Sequence, residues 1–223
     1  MKRSGGEIAV KALEDEGIRW AFGIPGTHNI ELYDALGASE SVRPVLVTDE
    51  QSASFMADGV WRASGEMACV NLVPGAGLTH ALSGIAEAFM DNVPLLVLGC
   101  GIRRDSGRAY QLHDVDQRAM VAPVTKGQFR PMNGSELYRD IRAACALARS
   151  GAPGPVFVEV PANVYLFQHT GSLEQPEVGP PAGGEGMEAA VQATAELLRQ
   201  AERPMLYLGA GAVGARVEAA RLV

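Results

Sequence analysis

The residue best placed to do chemistry is Glu50, a carboxylate that follows the apolar run Pro44-Val45-Leu46-Val47-Thr48 and opens a helical pattern. An acid at that junction stands where parallel sheets present ligands, at the carboxyl end of a strand. It serves equally as an ordinary first-turn acid, meeting the positive end of the helix dipole. Pro25-Gly26-Thr27 and Gly75-Ala76-Gly77 occupy the same kind of junction, each after a short apolar run. Taken singly, the prolines and glycines there are turn residues. His113 lies in a polar stretch, where its imidazole is either a proton donor at a site mouth or a solvent-exposed side chain. A further candidate, Gly209-Ala210-Gly211-Ala212-Val213-Gly214, matches the G-x-G-x-x-G pattern of dinucleotide sites after an apolar run at 205–208. The confirming acidic residue about 20 positions on falls beyond Val223, and a tight strand-to-helix turn reads as well.

The elements that must hold these residues alternate. Helical periodicity is expected over 6–16, from Thr27 or Asn29 through Leu36, and over 50–64, 79–90 and 135–150. Between them, 18–22, 44–48, 68–72, 94–98 and 154–160 read as short strands, the fourth nearly all apolar as befits a buried parallel strand. That alternation predicts an α/β fold, a parallel sheet with helices on both faces. Residues 101–118, rich in Arg, Asp and Gly, read as a long functional loop. Pro, Gly, Glu and Ser dominate 168–186, which reads as a linker between a domain at 1–167 and the start of a Rossmann-like domain at 187–223. One helix, a strand at 205–208 and a second helix cannot close a core, so that second domain is expected to be cut off.

Composition narrows the function. The net charge of −7, without a run of Lys or Arg, argues against nucleic-acid or anionic-membrane partners, which need a positive face. Nothing approaches the roughly 18 apolar residues of a membrane span, and the N-terminus lacks a signal-peptide core. Cys69, Cys100 and Cys145 stand far apart among apolar or small neighbours, as reduced core residues of a cytoplasmic protein do.

Taken together, the motifs resemble a family. Phe22-Gly23-Ile24-Pro25-Gly26-Thr27, Thr48-Asp49-Glu50-Gln51, Met56-Ala57-Asp58-Gly59, Ala88-Phe89-Met90-Asp91-Asn92-Val93-Pro94, Pro123-Val124-Thr125-Lys126 and the run from Gly154 to Pro161 closely resemble thiamine-diphosphate enzymes of the acetolactate synthase and 2-oxo acid decarboxylase group, in that group's order and spacing. The resemblance implies a pyrimidine-binding domain in which Glu50 hydrogen-bonds N1′ of the cofactor's aminopyrimidine. The ring's 4′-imino group then takes the proton from thiazolium C2, which attacks a 2-oxo acid and releases carbon dioxide. It further implies that Pro25, Gly26, Gly75, Gly77 and His80 line the cofactor. Thr27 would bind a substrate carboxylate, unless it merely caps a helix, and His113 would act as a catalytic proton donor. Magnesium and the diphosphate are expected in a later domain, so no metal ligand is assigned here and this piece alone is expected to be inactive. Active sites formed between two subunits imply a homodimer or tetramer.

Three departures from the group's pattern favour a decarboxylase or carboligase over acetolactate formation in particular. Asp49 replaces the usual histidine before Glu50, His80 replaces an amide residue, and His113 stands where the synthases carry glutamine. Two rivals remain open at this point: an NAD(P)-binding oxidoreductase built on the terminal glycine motif, and a non-catalytic binding or regulatory homologue.

Overall fold

The computed structural model describes residues 2–108, 111–170, 173 and 186–222. The chain divides into two compact units, Met1–Pro180 and Pro181–Val223.

In the first unit, β1 (Lys2–Ser4) leads into α1 (Gly5–Asp15), β2 (Trp20–Gly23), α2 (Ile30–Ala38), β3 (Arg43–Leu46) and α3 (Glu50–Ser64). There follow β4 (Cys69–Leu72), α4 (Ala76–Met90), β5 (Leu95–Gly101), α5 (Gln117–Val121) and β6 (Gln128–Phe129). The unit closes with α6 (Gly134–Arg149), β7 (Pro155–Pro161), α7 (Ala162–Leu166) and β8 (Gln168–Thr170). Six strands form one sheet in the order β3-β2-β4-β5-β7-β6, and every pairing in it is parallel. The expected α/β fold is therefore the observed one.

Helices cover both faces because the buried strands alternate. Leu96 and Leu98 of β5 point to one side, where they meet Ile8 and Leu13 of α1, Leu32 and Leu36 of α2 and Ile141 of α6. Leu95 and Val97 point to the other and meet Leu78, Ala81 and Ile85 of α4 with Ala53 and Ala57 of α3. All seven residues of β5 are buried, so this strand runs through the middle of the core.

Several local expectations need correcting. Neither Thr27 nor Asn29 caps α2 with its side chain: Asn29 holds the cap position, but its Oδ1 accepts the Gly26 N–H at 2.6 Å and closes a turn instead. Helix α4 begins at Ala76, not Thr79, because Gly75 at φ 70° turns the chain straight from β4 into the helix. The stretch 101–118 is not loop throughout, since α5 starts at Gln117 with Asp116 Oδ1 accepting from Ala119 N–H. Gln168–Thr170, counted with the linker by composition, pairs antiparallel with Lys2–Ser4. The remainder of that stretch, 171–172 and 174–185, lies outside the described residues.

The second unit contains α8 (Met187–Gln200), a 3-10 turn at Ala210–Ala215 and α9 (Arg216–Ala220). The expected strand at 205–208 does not form. A strand needs a neighbour for its ladder, and the described residues of this unit contain none.

Candidate active site

Parallel pairing sends the loops after β2, β3, β4 and β5 to one edge of the sheet, and all of the sequence-selected residues of the first unit lie on those loops or the helix starts that follow. Glu50 is the first residue of α3. Asp49 before it is the helix cap: Oδ1 accepts from Ser52 N–H at 2.7 Å and Oδ2 from the Ser52 hydroxyl at 2.8 Å. Those bonds, the backbone one first, hold the Asp49 carboxyl below the usual carboxylate range. The carboxylate beside Glu50 thus has a structural occupation of its own.

Glu50's side chain is 15% exposed, and its Oε2 lies 3.1 Å from Nδ1 of His80 on α4. The other oxygen, Oε1, faces Gly77, where a Cβ would come within 3.2 Å of it and within 2.6 Å of Val73 Cγ2. A Cβ on Gly26 would meet the other methyl of Val73, also at 2.6 Å. Glycine at 26 and 77 is therefore what lets the first loop and the start of α4 close on Val73 beside the carboxylate.

Gly75 connects this group to the second histidine. The Gly75 α-carbon lies against His113, where a Cβ would be 3.3 Å from its Cβ and 3.4 Å from its Nδ1. His113 itself adopts φ 67°, a left-handed backbone that few non-glycine residues accept. Its ring meets His28 edge-on, centroids 5.9 Å apart. Burial, and then the neighbouring His113, lower the His28 pKa below the ordinary imidazole value. Pro25 and Thr27 sit exposed at the lip, and among the described residues the Thr27 hydroxyl makes no hydrogen bond. Glu50, His80, Gly77 and Gly26 thus come together, Gly75 and His113 adjoin them through the same turn, and Thr27 faces solvent.

Three contributors were not legible as site residues in the sequence. Gln117, only 2% exposed, donates from Nε2 to Cys100 O at 2.9 Å and accepts the Gly75 N–H at Oε1 at 3.2 Å, which ties the turn to β5. Its place at the end of the polar stretch 101–118 was visible, but not the 42-residue reach of its amide. Asn29 is fully buried and bridges Gly26 N–H, Ile24 O and Asn71 Oδ1, so it shapes the first loop. His28, beside a residue already singled out, carries no sequence signal of its own.

Behind the site, buried Glu159 of β7 accepts Nε and Nη2 of Arg130 at 2.9 and 2.6 Å, with Arg104 Nη2 3.6 Å from its other oxygen. The terminal glycine motif lies in the second unit within the 3-10 turn, exposed for the most part and without the preceding strand that a dinucleotide site requires.

The chain's own sequence decides the family. Residues 3–120, more than half of its length, match the family model of the thiamine pyrophosphate enzymes' N-terminal TPP binding domain. The chain belongs to the thiamine pyrophosphate enzymes. An acetolactate synthase large subunit of Haemophilus influenzae is 30% identical over 220 residues, covering 96% of this chain and 38% of that protein. The acetolactate synthase isozyme 3 large subunit of Escherichia coli is 34% identical, covering 95% and 38%. A Pseudomonas aeruginosa protein named "Probable 2-ketoarginine decarboxylase AruI" is 36% identical over the same two shares. The chain spans under two fifths of the length of each of these relatives. The six-stranded parallel sheet with helices on both faces agrees with membership of this thiamine pyrophosphate enzyme family, which gives the oxidoreductase reading of the terminal glycines no support.

Proposed function

We propose that this chain supplies the pyrimidine-binding half of an active site that decarboxylates or ligates 2-oxo acids with thiamine diphosphate. The observation that carries the proposal is the disposition of Glu50: one oxygen engaged by His80, the other beside the glycine wall at Gly77, and the group still partly accessible. That arrangement fits a flat heteroaromatic ring approaching over Gly77 and Val73, with a ring nitrogen to share a proton with the carboxylate. Thiamine diphosphate, when bound, supplies an acidic carbon and an electron sink for the decarboxylation.

The remaining chemistry falls to this chain's side chains. Glu50 holds or shares the proton at the ring nitrogen N1′. Gly26, Gly75 and Gly77 give the cofactor backbone-close contact, with Pro25 and His80 at its flanks. Thr27, whose hydroxyl has no partner among the described residues, donates to the substrate carboxylate. His113, at the mouth, donates the proton that the reacting carbon requires. Residues 1–167, with β8 as the closing strand, constitute the pyrimidine-binding domain, the stretch from there to 186 is the linker, and 187–223 is the beginning of a Rossmann-like domain. Magnesium and the diphosphate are held by residues outside this chain, and the enzyme is a cytoplasmic homodimer or tetramer associating through this domain.

The test is Glu50→Gln in the complete enzyme, assayed by carbon dioxide release from a panel of 2-oxo acids with cofactor and magnesium added. Loss of the ionisable proton partner is expected to lower turnover by about 10²–10⁴-fold with the fold intact. Turnover near that of the parent would overturn the assignment.

A further inference from the structure

Helices α3 and α4 pack so closely that their side-chain partners are fixed by backbone geometry. Gly84 of α4 lies against Ser54 of α3, where a Cβ would come within 2.3 Å of Ser54 Oγ and 2.8 Å of its Cβ. Ser54 is one turn along from Glu50, so both stand on the same face of α3. On α4, Gly77, His80 and Gly84 follow at spacings of three and four, and so share the face turned to α3. The Gly84–Ser54 contact therefore sets the distance at the other end of the pair, where His80 Nδ1 meets Glu50 Oε2 at 3.1 Å.

We propose that His80 is a positioning residue: its Nδ1–H engages Oε2 of Glu50 and leaves Oε1, beside Gly77, as the oxygen offered to the cofactor. An ionised carboxylate only accepts hydrogen bonds, so the imidazole nitrogen facing it carries the proton. The ring's other nitrogen, Nε2, is then the unprotonated one in the neutral imidazole. His80 is half-exposed, whereas Glu50 is largely covered, so the contact restrains the inner group by means of the outer one. A carboxylate with one oxygen committed has fewer rotamers to lose when a ring nitrogen approaches the other. This inference rests on the role given to Glu50 above, but the contact itself is measurable without the cofactor.

The experiment is ring nitrogen-15 labelling of the histidines and proton–nitrogen correlation spectra at about pH 8, where an ordinary histidine is neutral. His80→Gln identifies the His80 signals by their loss. The parent protein is expected to hold His80 as the Nδ1–H tautomer, and Glu50→Ala to release it to the mixture of a free histidine. An Nε2–H tautomer in the parent, or no change on Glu50→Ala, would overturn the proposal. In the complete enzyme, His80→Phe is expected to lower kcat about tenfold with the 2-oxo acid KM unchanged, the effect of losing one charge-assisted hydrogen bond. His80→Asn, which keeps a donor, is expected to recover most of that loss; equal loss in both variants would count against positioning. Should Glu50→Gln abolish turnover while His80 shows the wrong tautomer, only the present proposal fails. If Glu50→Gln leaves turnover unchanged, the catalytic reading fails whatever the tautomer.

Discussion

Truncating Gln117 to alanine tests whether the turn that carries Gly75 and Gly77 is held in place from below. The Gln117 amide is buried and bridges two backbone groups, Gly75 N–H at 3.2 Å and Cys100 C=O at 2.9 Å. A buried backbone group stripped of its partner costs about 1–3 kcal/mol, so two together set an upper figure of about 6 kcal/mol. Water admitted to the vacated space satisfies part of that demand, which brings the expectation to about 2–4 kcal/mol. Urea unfolding followed by the fluorescence of Trp20 and Trp61 measures it, as a lower midpoint at unchanged slope. Gln117→Glu keeps an acceptor for Gly75 but loses the donor to Cys100, and should fall between parent and alanine. In the complete enzyme the alanine variant should also bind thiamine diphosphate more weakly, because the turn beside Glu50 is no longer anchored. A loss below about 1 kcal/mol at unchanged slope would refute the reasoning, since two buried backbone groups that water satisfies only in part cannot cost so little.

Arg130→Met removes both hydrogen bonds to Oε2 of Glu159, which is only 1% exposed, and leaves Arg104 at 3.6 Å as its remaining cation, so the protein should lose about 1.5–3 kcal/mol. Adding Glu159→Gln should recover much of that loss in the same urea assay, and a double variant no better than the single would contradict it. Burial pushes the Cys69 thiol up to about 12 and raises the Cys100 and Cys145 thiols as well, so none forms thiolate readily in the fold. A disulfide reagent at neutral pH should find all three unreactive in the native protein and reactive in denaturant; fast native labelling would refute their burial.

How much of this was legible in the sequence depends on the range of the interaction involved. The β5 strand and the α3 helix could be read off because an all-apolar run and a 3.6-residue period are local signals. β1, β6 and β8, of two or three residues each, leave no such pattern and exist only because distant backbone is there to pair with them. The run at 205–208 is the reverse case: it has the composition of a strand and, among the described residues, no ladder to join. Asp49 read only as a departure from the group's histidine beside Glu50, whereas the fold uses it to cap α3.

By itself the sequence determined the α/β order, the family motifs and Glu50 as the residue to watch, because each is carried by neighbours in the chain. Only the tertiary structure decided which groups that carboxylate would meet. Glu50 and His80 are 30 residues apart, as Gly75 and Gln117 are 42, and parallel strand pairing brings them to one edge of the sheet. The closeness of α3 to α4, set by a glycine with no side chain to hold them off, then fixes the Glu50–His80 contact at hydrogen-bonding distance.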